Sequence, residues 1–142
     1  MCVKRTILIV DDEPALRELI GEFLIDDFNP ILAANADEAV TLARQHLPEI
    51  VLCDLCMPVR NGLSAIRELR QVSTFQAVPM ILMSGQDEPL GLAALDVTFL
   101  PKPFDLRHLM VTLEAALAPA LTAASEVAEN GKAQLPISCP GA

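Results

Sequence analysis

Five polar residues stand directly at the ends of apolar runs: Asp11 and Asp12 after ILIV, Asp54 after IVLC, Ser84 after MILM, and Lys102 after FLP. If the fold brings them together, three carboxylates face one another, and at least one must take up a proton unless a cation intervenes. A hard divalent ion, held by one or two carboxylates, water and a phosphate oxygen, suits Mg²⁺. The ammonium of Lys102 adds a point positive charge. Such a set suits a transferring phosphoryl group, where catalysis is mostly positioning and charge neutralisation. Asp54 stands alone at its run and is the natural nucleophile, because a carboxylate attacking phosphorus gives an acyl phosphate. Asp11 and Asp12 form the obvious metal pair.

The elements that must position these residues alternate along the chain. Thr6–Val10 is short, β-branched and free of polar alternation, as a strand buried on both faces should be. Pro14–Leu24 carries Leu16, Leu19, Ile20, Phe23 and Leu24 at helical spacing. A weaker strand is expected at Pro30–Ala33. A helix follows, with Asn35 as its N-cap and Glu38 three residues on. Ile50–Cys53 reads as the third strand, Leu63–Val72 as the third helix and Met80–Met83 as the fourth strand. Pro89–Leu95 supports a short helix at best, and Thr98–Leu100 a short last strand. Asp105–Leu117 has Leu106, Leu109, Met110, Leu113 and Leu117 in phase. Strands alternating with helices in this way predict right-handed crossovers and a parallel sheet covered on both faces. The size and count suit the α/β flavodoxin-like doubly wound order 2-1-3-4-5, whose ligand edge lies between strands one and three.

With those positions assigned, the stretches LIVDDEP (residues 8–14), VLCDLCMPVRNG (51–62), ILMSG (81–85) and FLPKPF (99–104) resemble the motif set of bacterial response-regulator receiver domains, over residues 4 to about 118. The resemblance implies a phosphorylation-dependent switch of a two-component system, not an enzyme acting on other substrates. Asp54 would accept a phosphoryl group from the phosphohistidine of a sensor histidine kinase or phosphotransfer protein. Asp12 would be the main Mg²⁺ ligand, with Asp11 in support, and the backbone carbonyl of Cys56 would complete the shell. Ser84 would turn its hydroxyl towards the phosphoryl group and Lys102 would bind its oxygen. Phe99 matches the aromatic position that swings inward with that hydroxyl. Lys102–Pro103 would be a cis peptide.

Three features depart from the pattern. The segment between Ser84 and Lys102 is about one helical turn short, and Pro89 and Gly91 interrupt it, so helix four should be short or irregular. In the family, the face of helix four, strand five and helix five carries dimerisation or target binding. A phosphorylation-dependent dimer and an unidentified downstream protein target are the corresponding expectations. Cys56 is an unusual residue two places after the acceptor. With Cys53 it forms a C-x-x-C. Zinc would need two more nearby ligands, and a redox pair wants its first cysteine at a helix N-terminus. A buried small hydrophobe plus a loop residue is the plainer reading.

The bulk numbers set limits. The 142 residues suit one domain, taken as residues 1–118, with 119–142 expected as a disordered tail or linker because their Ala, Pro, Ser, Glu and Gly show no period. A net charge of −9 with ten scattered Lys and Arg argues against direct nucleic-acid binding. No segment approaches the roughly 20 apolar residues that span a bilayer. The run Ile7–Val10 meets Asp11 too soon for a signal peptide, so the expected location is cytoplasmic, with Cys2, Cys53, Cys56 and Cys139 as reduced thiols. Two other functions remain open. One is a metal-dependent phosphohydrolase working through an aspartyl-phosphate, although such enzymes carry a second acid where Cys56 stands. The other is a pseudo-receiver serving only as an interaction module.

Overall fold

The computed structural model describes residues 4–118, so the expectations for Cys2, Cys139 and the segment 119–142 lie outside the described residues. Five parallel strands, β1 (Arg5–Val10), β2 (Phe28–Ala33), β3 (Ile50–Asp54), β4 (Met80–Ser84) and β5 (Val97–Pro101), form one sheet in the order β2-β1-β3-β4-β5. The helices are α1 (Pro14–Leu24), α2 (Ala36–His46), α3 (Gly62–Arg70), α4 (Leu92–Leu95) and α5 (Leu106–Leu117), with a 3₁₀ turn at Ser73–Phe75.

Side chains of a strand point alternately to the two sheet faces, and both faces of the central strands are covered. Leu8, Val10, Val51, Cys53, Met80 and Leu82 pack under α2, α3 and α4, whereas Ile7, Ile9, Ile50, Leu52, Ile81 and Met83 pack under α1 and α5. This double burial explains why these strands lack polar alternation.

Local chemistry sets the helix ends. Pro14 opens α1, where its missing N–H costs nothing. Asn35, Asn61 and Asp105 each cap a helix by accepting from the backbone N–H three residues on, at 2.7–2.9 Å. Glu38 reaches back to the backbone N–H of Ala34, one residue before the cap itself. Helix α3 stops at Arg70 rather than Val72, because Val72 becomes the N-cap of the 3₁₀ turn that buries Phe75. Helix α4 is a single turn between Gly91 at φ +89° and Asp96 at φ +57°. The two outer strands, β2 and β5, each contain a proline, Pro30 and Pro101.

Candidate functional site

The strand register builds the site. Val10 lies opposite Cys53 across the β1–β3 pair, so Asp11 and Asp54, the next residues of each chain, emerge side by side at the carboxyl edge. Asp54 lies opposite Met83, and Ser84 opposite Pro101, which brings Ser84 and the following Lys102 to the same edge. The backbone N–H of Lys102 donates to the Ser84 carbonyl at 2.8 Å, and Lys102–Pro103 is cis.

Asp11, Asp12 and Asp54 each offer a carboxylate oxygen within 4.8 Å of the other two. Asp11 and Asp54 are buried and Asp12 is exposed. Lys102 Nζ donates to Asp54 Oδ1 at 3.0 Å and stands 3.8 Å from Asp11 Oδ2. Asp11 is fixed from its other side: its Oδ1 accepts from the Glu13 backbone N–H at 2.9 Å, and its carbonyl accepts from Arg17 Nη1 at 2.7 Å. Its Oδ2 is fully buried without any hydrogen-bond partner. A buried, unpartnered carboxylate oxygen is costly. Here it faces two further carboxylates, a donor set of hard oxygens that fits Mg²⁺.

Electrostatics follow from this packing. Burial pushes the Asp54 carboxyl above its usual range, and the charges of Asp11 and Asp12 push the same way, while Lys102 opposes them. Burial works against the Lys102 ammonium, but its hydrogen bond to Asp54 and the charges of Asp54, Asp11 and Glu13 outweigh it and lift its pKa. Cation and carboxylate thus hold each other in place at the floor of an acidic cleft.

The remaining predicted residues take separate places. Ser84 is buried, with its Oγ accepting from the Gln86 backbone N–H at 2.9 Å. Phe99 is half-buried against the α2–α3–α4 side of the sheet. Cys56 is exposed and lines, with Met57, Pro58, Gln86 and Asp87, an open cavity of about 690 Å³ beside the acidic cleft. Cys53 is buried under Asp54, and burial with the neighbouring carboxylates raises its thiol far above the usual value. Among the described residues, no cluster with metal-ligand geometry includes a cysteine.

Sequence reasoning missed two contributors. A Cβ on Gly62 would overlap the carbonyl oxygen of Asp54 and sit 2.8 Å from Cys53 Sγ, so only glycine allows α3 to start against the end of β3. The glycine of VRNG was visible, but not the strand end it touches. Arg60 donates to Asp37 Oδ1 and Glu68 Oε1, both at 2.6 Å, and to Ser64 Oγ at 3.0 Å. It thereby ties the β3–α3 loop to α2 and α3, a role no spacing announces.

The profile of the response regulator receiver domain matches residues 7–114. The chain belongs to the response-regulator receiver family. Among curated relatives, Response regulator Rre1 of Synechocystis is 35% identical over 135 residues, covering 91% of this chain and 58% of Rre1. Protein PilH of Pseudomonas aeruginosa is 35% identical over 117 residues, covering 79% of this chain and 97% of PilH. The receiver therefore spans little more than half of Rre1 but nearly all of PilH. Among solved structures, the Vibrio cholerae chemotaxis protein CheY4 aligns with a TM-score of 0.76 at 25% identity, over 80% of this chain and 99% of that one. The HemR receiver domain of Leptospira biflexa aligns at 0.74 and 27%, over 82% and 96%. The family and the shared architecture make this receiver a phosphorylation-dependent switch of two-component signalling. Receivers are in general switches, not enzymes, and interact with histidine kinases or phosphotransfer proteins. Among the described residues, no helix is long and apolar enough to cross a membrane.

Proposed function

We propose that Asp54 accepts a phosphoryl group from the phosphohistidine of a sensor histidine kinase or phosphotransfer protein in the cytoplasm. The observation that carries this reading is Lys102 Nζ, 3.0 Å from Asp54 Oδ1 and 3.8 Å from Asp11 Oδ2, which accepts no hydrogen bond. A nucleophile, a fixed cation and a spare buried acceptor share one cleft. Asp11, Asp12, Asp54 and the Cys56 carbonyl would hold Mg²⁺, which when bound supplies positive charge against the phosphoryl oxygens.

The Asp54 oxygen forms the new P–O bond as the P–N bond to the donor imidazole breaks, and the nitrogen keeps the electron pair of the broken bond. Lys102, released from its bond to the free carboxylate, turns to a phosphoryl oxygen. Ser84, at the end of β4 on the same sheet edge, would turn its hydroxyl to the phosphoryl group, and Phe99 on the neighbouring strand would follow it. Cys56 gives no acid two residues after Asp54, so a general acid for turnover on other substrates is missing at that position.

The test is intact-mass spectrometry after incubation with acetyl phosphate and Mg²⁺. A gain of ~80 Da, lost with EDTA and in Asp54→Ala, is the expected result. An adduct of unchanged yield in Asp54→Ala would overturn the assignment.

A further inference from the structure

Beside the acidic cleft the backbone does something the phosphorylation chemistry does not need. Val59 has φ +72°, a conformation that is an outlier for a β-branched residue. The backbone N–H of Arg60 donates to the Pro58 carbonyl at 2.8 Å and closes a three-residue turn with Val59 at its tip. Strain of this kind persists only where the surroundings over-determine it. Here the Arg60 bonds to Asp37, Glu68 and Ser64 hold one arm of the turn, and Gly62 wedged under Asp54 holds the chain just beyond. The strain gains no burial for the side chain: Val59 is 103% exposed. It stands at the mouth of a cavity of about 480 Å³ whose lining includes Asp12, Asn35, Asp37, Pro58 and Arg60. An apolar side chain is thus held in water beside Asp12, one of the three clustered carboxylates.

We infer that Val59 is a specificity-determining contact for the protein that delivers the phosphoryl group. This rests on the reading of Asp54 as acceptor and names the surface the donor must carry. The loops around the cleft set the charge of that surface. Asp12, Glu13, Asp37, Asp87, Glu88 and Asp105 are all exposed there. Of the cations near the cleft, Lys102 pairs with Asp54, Arg60 with Asp37 and Glu68, and Arg17 donates to the Asp11 carbonyl, so carboxylates outnumber free positive charge on this face. The complementary donor has Lys or Arg around its phosphohistidine and an apolar depression for the Val59 side chain. Arg60 is a positioning residue for that contact.

A small donor needs no docking surface, and this separates the proposal from the chemistry it rests on. The full chain is phosphorylated in parallel by acetyl phosphate and by phosphorylated histidine-kinase transmitter domains, prepared one by one from the genome that encodes it. The variants are Val59→Gly, which suits the positive φ and relieves the strain, and Val59→Ile, which keeps an apolar tip. With acetyl phosphate, Val59→Gly should react within about twofold of wild type and melt no lower. With each transmitter that serves wild type, it should lose about tenfold in transfer rate, Val59→Ile should retain most of it, and added salt should slow transfer. Equal transfer by wild type and Val59→Gly, or a Val59→Gly loss as large with acetyl phosphate as with transmitters, would overturn the inference. So would a wild type that takes phosphoryl from acetyl phosphate and from no transmitter. A wild type that takes none from acetyl phosphate or any transmitter instead removes the reading of Asp54.

Discussion

Asp54 pays for its position in free energy. Its carboxyl titrates above the usual aspartate value of 3.8, chiefly through burial and then through Asp11 and Asp12. A folded-state pKa above the unfolded one favours the folded chain at low pH, and that contribution is lost as pH rises through the folded value. At neutral pH and without Mg²⁺, the ionised Asp54 therefore weakens the fold. Asp54→Asn should raise the melting temperature of the metal-free protein by a few degrees at pH 7, less whatever the lost Lys102 bond contributes. The gap should shrink as pH falls towards 4. Calorimetry across that range checks it, and an advantage that grew on acidification would contradict the sign.

At the scale of elements, the short α4 is held by a device outside itself. Arg70, the last residue of α3, donates to the carbonyls of Phe75, Gln76 and Val78 on one side and of Leu95 and Asp96 on the other. A one-turn helix has little stability of its own, and here its terminal carbonyls are satisfied by a guanidinium. Arg70→Met should cost roughly 2–3 kcal/mol, because several carbonyls lose a charged donor together. Amide exchange should accelerate at residues 92–96 before it does in β1 or β3. Lysine at that position cannot reach both groups of carbonyls with one ammonium and should rescue only part.

Elements and site were unequally legible. The bounds of α1 were readable because Pro14 starts it and the apolar phase runs to Leu24. The central strands were readable because each is an unbroken apolar run ending in a polar residue. The start of β2 at Phe28 was not, since Asn29 and Pro30 are poor strand residues tolerated at an edge. Val72 looked in phase with α3 but caps the next turn. The shared edge of Asp11, Asp12, Asp54, Ser84 and Lys102 was legible because in a parallel sheet the carboxyl ends of the strands lie on one side. Arg60, Gly62 and Arg70 were not, because their partners lie across loops and elements that only the folded chain brings near.

For the whole molecule, three carboxylates held together against a net charge of −9 make the fold responsive to cations. A ligand that binds only the folded state stabilises it by mass action, about 2.7 kcal/mol at a hundredfold excess over Kd. Mg²⁺ should therefore raise the melting temperature far more than Na⁺ at equal ionic strength, and Asp12→Asn should remove most of that difference. Equal shifts with the two salts would mean general screening instead of a site.

The prolines at the two margins of the sheet bear on how copies of the domain can meet. Pro30 lies in β2 and Pro101 in β5, so each open edge lacks one backbone donor. A strand arriving from a neighbouring molecule would meet a gap in the ladder on either side, and stacking of domains through a continuous ribbon of strands is disfavoured from the outset. Crowded copies can approach through helices and loops, whose contacts are reversible, without risking fibrous growth.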